Sequence, residues 1–274
     1  MKNWNTTLAI LLFGLFASCQ HQDKQVKSVP EEPKFQNKGH ELVYKMAQKT
    51  GDYNSLLALK DVTYTYTYRT ADKKEDISTE QYIFDGELSL GTYSKHERTL
   101  PDLEGNMTQS YDGASFYLTN DGKSIKDEAM LKGVAFTRKT NFYWFAMMQK
   151  LLDPGIKYEY LGTASISDKN YDIVKVSFDS PADQPKDIYQ LYINKKTTLV
   201  DQFLFTVVDY NVVENPLLMR VRYDEIDGVL IPTYREYTQS NWDGDILKDE
   251  WTQEISENIK FTTGLRKDQF ITSL

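Results

Sequence analysis

Leu217-Leu218-Met219-Arg220-Val221-Arg222-Tyr223-Asp224 is the stretch whose reading decides the fold. Leu217, Met219, Val221 and Tyr223 alternate with Leu218, Arg220, Arg222 and Asp224. A period of two sends these sets to opposite faces of a sheet, one oily and one wet. The same alternation recurs outward from it. Val174, Val176 and Phe178 alternate with Lys175 and Ser177, and Trp251, Gln253 and Ile255 with Thr252 and Glu254. Asp227-Gly228 and Asp243-Gly244 punctuate these runs, which favours antiparallel hairpins over helical crossovers. Residues 156–261 therefore read as a meander of short strands.

Upstream, Val62-Thr63-Tyr64-Thr65-Tyr66-Thr67-Tyr68 is the cleanest strand, with Val62, Tyr64, Tyr66 and Tyr68 on one face. Such a tyrosine stripe serves either as a platform for a ligand or, more often, as a sheet face packed on its own core. Further strands are expected near 78–84, 88–95, 107–111 and 115–119, with hairpin signals at Asp85-Gly86, Asp112-Gly113 and Asp121-Gly122. Leu42, Val43, Met46 and Ala47 recur at helical spacing before Thr50-Gly51, so residues 40–50 read as an amphipathic helix.

The strand pattern breaks over residues 124–153. Asn141-Phe142-Tyr143-Trp144-Phe145-Ala146-Met147-Met148-Gln149-Lys150-Leu151-Leu152 places Phe142, Phe145, Met148 and Leu152 on one helical face, with Tyr143, Trp144 and Met147 at its flank. A helix apolar around most of its circumference is either buried or covers something oily. Asp153-Pro154-Gly155 ends it. The insert, expected over residues 139–152, reads as a lid on one sheet.

Apolar residues make up 40% of the 274 and charged residues 26%, enough to bury a core. The 19 Tyr and 13 Phe suit pleated surfaces and wide interiors. A formal charge of −8 lacks the basic stripe that neutralises phosphates, so no nucleic-acid partner is expected. The single cysteine, Cys19, excludes an intramolecular disulfide and a multi-thiolate zinc site.

The start of the chain reads as an address. Lys2 is a small positive region, Leu8-Ala9-Ile10-Leu11-Leu12-Phe13-Gly14-Leu15-Phe16 a short apolar one, and Ala17-Ser18 supply small residues before Cys19. Leu15-Phe16-Ala17-Ser18-Cys19 resembles a bacterial lipobox, with Phe16 where an aliphatic residue is usual. That resemblance implies a signal peptide over residues 1–18 and acylation, palmitate included, at Cys19. Acyl chains contribute roughly 0.8 kcal/mol per buried CH₂, so they would be the membrane anchor. Gln20 in place of Asp favours the outer membrane, on its periplasmic face, by likeness to the sorting pattern. Residues 19–37 are polar, with Pro30 and Pro33, and read as a flexible tether to a β domain over 38–274.

No catalytic constellation emerges. His21, His40 and His96 have no second His or Cys at ligand spacing, so neither a metal nor a cofactor is expected. No Gly-x-Ser-x-Gly elbow and no phosphate-binding glycine loop is present. Asp224 and Glu225 are neighbours on a strand and point apart. The chain is expected not to be an enzyme, a hydrolase using exposed carboxylates being the minor alternative.

An amphipathic helix, antiparallel strands, an apolar helical insert and further strands, in that order, resemble the LolA/LolB-like lipoprotein carrier and receptor fold of Gram-negative envelopes. Tyr192-Ile193-Asn194-Lys195-Lys196-Thr197-Thr198-Leu199-Val200 is similar to this group letter by letter. So is the later segment Tyr223-Asp224-Glu225-Ile226-Asp227-Gly228-Val229-Leu230-Ile231-Pro232. The resemblance implies a mainly β chain: a curved antiparallel sheet, or half-open β-barrel, with an N-terminal helix and a helical lid. It also implies an apolar cavity and a lipid or lipoprotein ligand, and it assigns no individual residue. Tyr64, Tyr66, Phe142, Trp144, Phe145 and Met148 are the candidate ligand contacts from the aromatic sheet face and the insert. The competing reading is a structural or interaction lipoprotein whose core is simply full. Pro232 lacks an N–H and suits an edge strand or a bulge.

Overall fold

Asn37 accepts a hydrogen bond from the His40 N–H (3.1 Å) and so starts α1 (Lys38–Thr50). Asp52 does the same for α2 (Tyr53–Leu59), through the Ser55 N–H at 3.0 Å. The chain is described by a computed structural model covering residues 33–271 apart from 182, 183 and 185. The expected signal segment, Cys19 and most of the expected tether lie outside the described residues.

After α2 the chain makes six strands: β1 (Asp61–Arg69), β2 (Glu75–Ile83), β3 (Leu88–His96), β4 (Met107–Tyr111), β5 (Phe116–Asn120) and β6 (Lys123–Ile125). Helix α3 (Glu128–Lys150) follows. Seven more strands return: β7 (Ile156–Ile166), β8 (Lys169–Phe178), β9 (Tyr189–Asn194), β10 (Val200–Val207), β11 (Val212–Ile226), β12 (Val229–Gln239) and β13 (Thr252–Phe261). All thirteen belong to one antiparallel sheet in the order β6-β5-β4-β3-β2-β1-β13-β12-β11-β10-β9-β8-β7. The sheet is curved and open, with edges at β6 and β7.

This topology dictates the path of α3. The chain reaches one edge at β6 and must resume at the other edge, β7. Thirteen flat strands would span roughly 57 Å. A helix of 23 residues is only about 35 Å long. The helix alone falls well short of that width, and the curl of the sheet lets it cross the concave face with only short turns at either end. The helix is longer than the expected insert and starts earlier. Asp127 caps it by accepting from the Met130 N–H (2.8 Å). Its first turns carry apolar residues too: Met130, Leu131 and Val134 pack with Met107 and Leu118, a stretch that the expected insert left out.

The turns follow the expected chemistry. Asp121-Gly122 links β5 to β6 and Asp227-Gly228 links β11 to β12, both residues of each pair having positive φ. Two consecutive positive φ values mark the hairpin turn that matches strand twist. Asp243-Gly244 is not a tight hairpin. It sits in the long β12–β13 connection, where Trp242 and Trp251 cover Tyr171, Tyr192, Leu204 and Leu218 on the outer face. Pro232 takes the bulge option: β12 lies between β11 and β13, but the β11 register shifts opposite Pro232, and pairing with β13 begins only at Tyr234.

Three buried polar ties pin α3. Arg138 and Glu80 are both fully buried and bonded twice, Nη1 to Oε2 at 2.7 Å and Nη2 to Oε1 at 3.1 Å. Ser78 and Tyr82 also donate to Glu80, and Tyr64 in turn donates to the Tyr82 hydroxyl (2.9 Å). The Arg235 Nη1 donates to the Trp144 carbonyl (2.7 Å) while its Nε donates to Glu254 (2.8 Å). Gln149 donates to the carbonyls of Thr50 and Leu230.

Gly91 makes room for the first tie. A Cβ there would lie 2.4 Å from Arg138 Nη1 and 2.8 Å from its Cζ. The guanidinium has no space to yield without leaving Glu80. Gly91→Ala is expected to destabilise by about 1–3 kcal/mol, measured by urea unfolding. Unchanged stability would show that Arg138 moves freely.

Candidate functional site

Between α3 and the concave face lies a partly open cavity of about 840 Å³. Helix residues 136–144 form one wall. Thr137 and Asn141, and Thr140 and Trp144, are four apart and so share neighbouring positions on the helix surface. The facing wall is built from strand positions of inward parity: Tyr66 and Tyr68 of β1, Tyr189 of β9, Phe205 of β10, Leu217 of β11 and Tyr237 of β12. The strands supply these rings because alternate residues of one strand share a face.

The rings form a connected surface. Trp144 lies 5.2 Å from Phe205 and 6.2 Å from Tyr189, both edge-to-face, and 5.7 Å from Phe203. Phe205 meets Tyr237 at 6.0 Å, and Tyr237 meets Tyr68 at 6.4 Å. Burial pushes the Tyr66 and Tyr68 phenols well above their ordinary pKa, so both rings are neutral across the physiological range.

The six candidate contacts divide. Tyr66, Phe142 and Trp144 line the cavity. Tyr64, Phe145 and Met148 do not: all three are buried at 2% exposure or less and packed in the core beneath the helix. Phe145 stacks on Tyr64 at 4.9 Å and meets Tyr82 at 5.7 Å. The physical reasons are helical phase and position along the helix. Phe145 points down into the sheet and is turned about 100° from Trp144, while Met148, one turn beyond Trp144 on nearly the same side, lies past the cavity, whose helix wall ends at Trp144. The sequence-level view of Trp144 as a flank residue agrees with this placement.

The walls are less oily than the sequence suggested. Arg98, Arg138, Lys139, Asp187 and Glu254 also line the space, and none of them was a candidate contact. Glu80, whose partner Arg138 lines the wall, had one visible signal: it shares strand parity with Tyr82, which marks it as inward-facing. Arg98 follows β3 in a loop, where no periodicity exists to flag it. Among the described residues, no three His, Cys, Asp or Glu side chains converge as a metal site. No described helix is long and apolar enough to cross a membrane.

Asp187 gives the cavity a titratable wall. It accepts from the Val208 N–H (2.7 Å) and the Thr206 hydroxyl (3.2 Å), but burial outweighs these bonds and raises its pKa above the ordinary 3.8. A folded pKa above the unfolded one favours the fold below the unfolded value, and that contribution disappears as pH rises through the folded value. Asp187→Asn is therefore expected to gain stability relative to the parent between about pH 4 and pH 7. Paired thermal melts at several pH values test this, and a constant difference would refute it.

Residues 125–217 match the sequence profile of DUF6503, a family of unknown function. No curated protein matches the chain. The architecture is that of an open, curved sheet crossed on its concave side by a helix, and solved structures share it. A LolA-superfamily protein from Nitrosomonas europaea is 14% identical, with a TM-score of 0.50 over 85% of this chain and 97% of its own. An outer-membrane lipoprotein-sorting protein domain from Vibrio parahaemolyticus is 9% identical, with a TM-score of 0.50 over 85% of this chain and 96% of its own. The chain has a LolA-like fold.

Proposed function

We propose that the protein is a lipid-anchored cell-envelope protein that holds an apolar ligand, an acyl chain of a lipid or lipoprotein, between α3 and the curved sheet. The observation that carries this reading is the cavity of about 840 Å³ with its continuous aromatic wall. Ligand cavities fall at roughly 300–1,000 Å³ and are mostly apolar with a few polar groups. A filled core would leave no such space. The LolA-like fold supports the same reading, because one neighbour of this shape is described as lipoprotein-sorting.

Anchoring rests on the lipobox-like segment at Cys19, with the outer membrane as the site and its periplasmic face as the orientation. Cys19→Ser is expected to move the protein to the soluble periplasmic fraction and to abolish labelling by a fatty-acid precursor. Continued pelleting and labelling of that variant would contradict the anchor. The ligand is tested separately, by native mass spectrometry of protein extracted under mild conditions. A bound apolar molecule at one per chain is the expected result, and a ligand-free mass under conditions that preserve the fold would count against the reading.

A further inference from the structure

The cavity has a polar end built around Arg98. Its Nε lies 3.2 Å from Asp76 Oδ2, and its guanidinium carbon sits 4.1 Å from the centre of the Tyr68 ring. Asp76 is itself immobilised, with its side chain 3% exposed. It accepts from the Arg98 and Thr99 N–H groups at 2.8 and 3.3 Å and from the Thr99 hydroxyl at 2.6 Å. An ion pair at one edge and a ring under one face fix the guanidinium plane. Neither terminal amino group, Nη1 or Nη2, has a protein acceptor among the described residues.

The other charges of the wall are already matched. Arg138 is bonded to Glu80, Glu254 to Arg235, Glu87 to Lys150, and Asp187 to Val208 and Thr206. Lys139 is exposed and stands 5.4 Å from the Phe116 ring with no ion-pair partner to fix it. Arg98 is thus the fixed cation that keeps open donors. From its ring partner Tyr68 the aromatic path runs through Tyr237 and Phe205 to Trp144. A cationic fork at one end of an apolar wall complements a molecule with an anionic head and an acyl tail.

The geometry points to an anion-binding subsite at Arg98 that selects single-chain amphiphiles with a carboxylate or phosphate head. This rests on the proposal that the cavity holds an apolar chain. A planar fork with two parallel N–H donors suits both head groups, and the desolvating tail would strengthen the pairing. The same guanidinium would give a neutral head nothing beyond an ordinary hydrogen bond.

The test titrates the full-length protein with oleate, with oleoyl lysophosphatidate and with the neutral monooleoylglycerol, following tryptophan fluorescence. At least one of the anionic probes is expected to bind roughly tenfold or more tightly than the neutral one. Arg98→Gln is expected to remove that preference while leaving monooleoylglycerol affinity in place. Arg98→Lys should retain part of it, because the charge survives and the fork does not. Lys139→Gln should leave it unchanged. Equal affinities for all three probes in the parent, or a preference that survives in Arg98→Gln, would overturn the subsite and leave the cavity reading standing. Failure of all three to bind would overturn both. The parent comparison needs no variant, so a misfolded Arg98→Gln does not shelter the idea.

Discussion

Glu80→Ala lowers the free energy of unfolding by about 3–5 kcal/mol. The carboxylate is fully buried and takes two bonds from Arg138, one from Ser78, one from Tyr82 and a longer one from Asn141 (3.4 Å). Its removal leaves the buried Arg138 charge with only the Tyr93 hydroxyl as a partner (3.1 Å), and that desolvation, rather than the loss of attraction, sets the size of the effect. Replacing both partners, as Glu80→Leu with Arg138→Met, should cost much less than Glu80→Ala alone, because no charge is then stranded. A double-mutant cycle by urea unfolding measures the coupling. A Glu80→Ala penalty under about 1 kcal/mol would mean that water reaches Arg138 and that α3 is not pinned there.

Phe145→Ala and Trp144→Ala separate core from cavity. Phe145 is 1% exposed and lies within ring contact of Tyr64, Tyr82, Phe84 and Phe261. Its truncation is expected to cost about 3–5 kcal/mol through lost burial and the void left behind. Trp144 faces existing empty space on one side, so fewer contacts are lost and the stability penalty is smaller. The order reverses for an environment-sensitive apolar dye: Trp144→Ala should weaken its binding, while the folded fraction of Phe145→Ala should bind as the parent does. Equal losses of stability in the two variants, with no change in dye binding, would place Trp144 in the core.

The sheet was legible because its signal is local. Alternation in residues such as Val62 to Tyr68, and paired turn residues such as Asp227-Gly228, depend only on neighbours along the chain. The same parity marked Tyr64 and Tyr66 as inward-facing but did not tell which of them would lie beneath α3. That division comes from where the helix crosses, which the strand order sets and single strands do not encode. Phe145 sits over the core formed by Tyr64 and Tyr82, and Met148 lies one turn past Trp144, where the cavity wall has already ended; neither boundary is written in the apolar pattern of the helix. Arg98 was not legible at all. Its role depends on Tyr68 and Asp76, brought beside it only by the pairing of β1 with β2 and of β2 with β3.

The central claim is that the space between α3 and the sheet takes up an apolar chain. Titration of an apolar dye against the parent and a cavity-filling variant, Leu217→Trp, tests it most directly. Leu217 lines the cavity, so an indole there should occupy the space at little cost to the fold. The account predicts saturable binding of one dye per parent chain and its loss in Leu217→Trp, with both proteins melting within a few degrees of each other, about 1 kcal/mol. Absence of saturable binding to the folded parent, or equal binding by a folded Leu217→Trp, would contradict it.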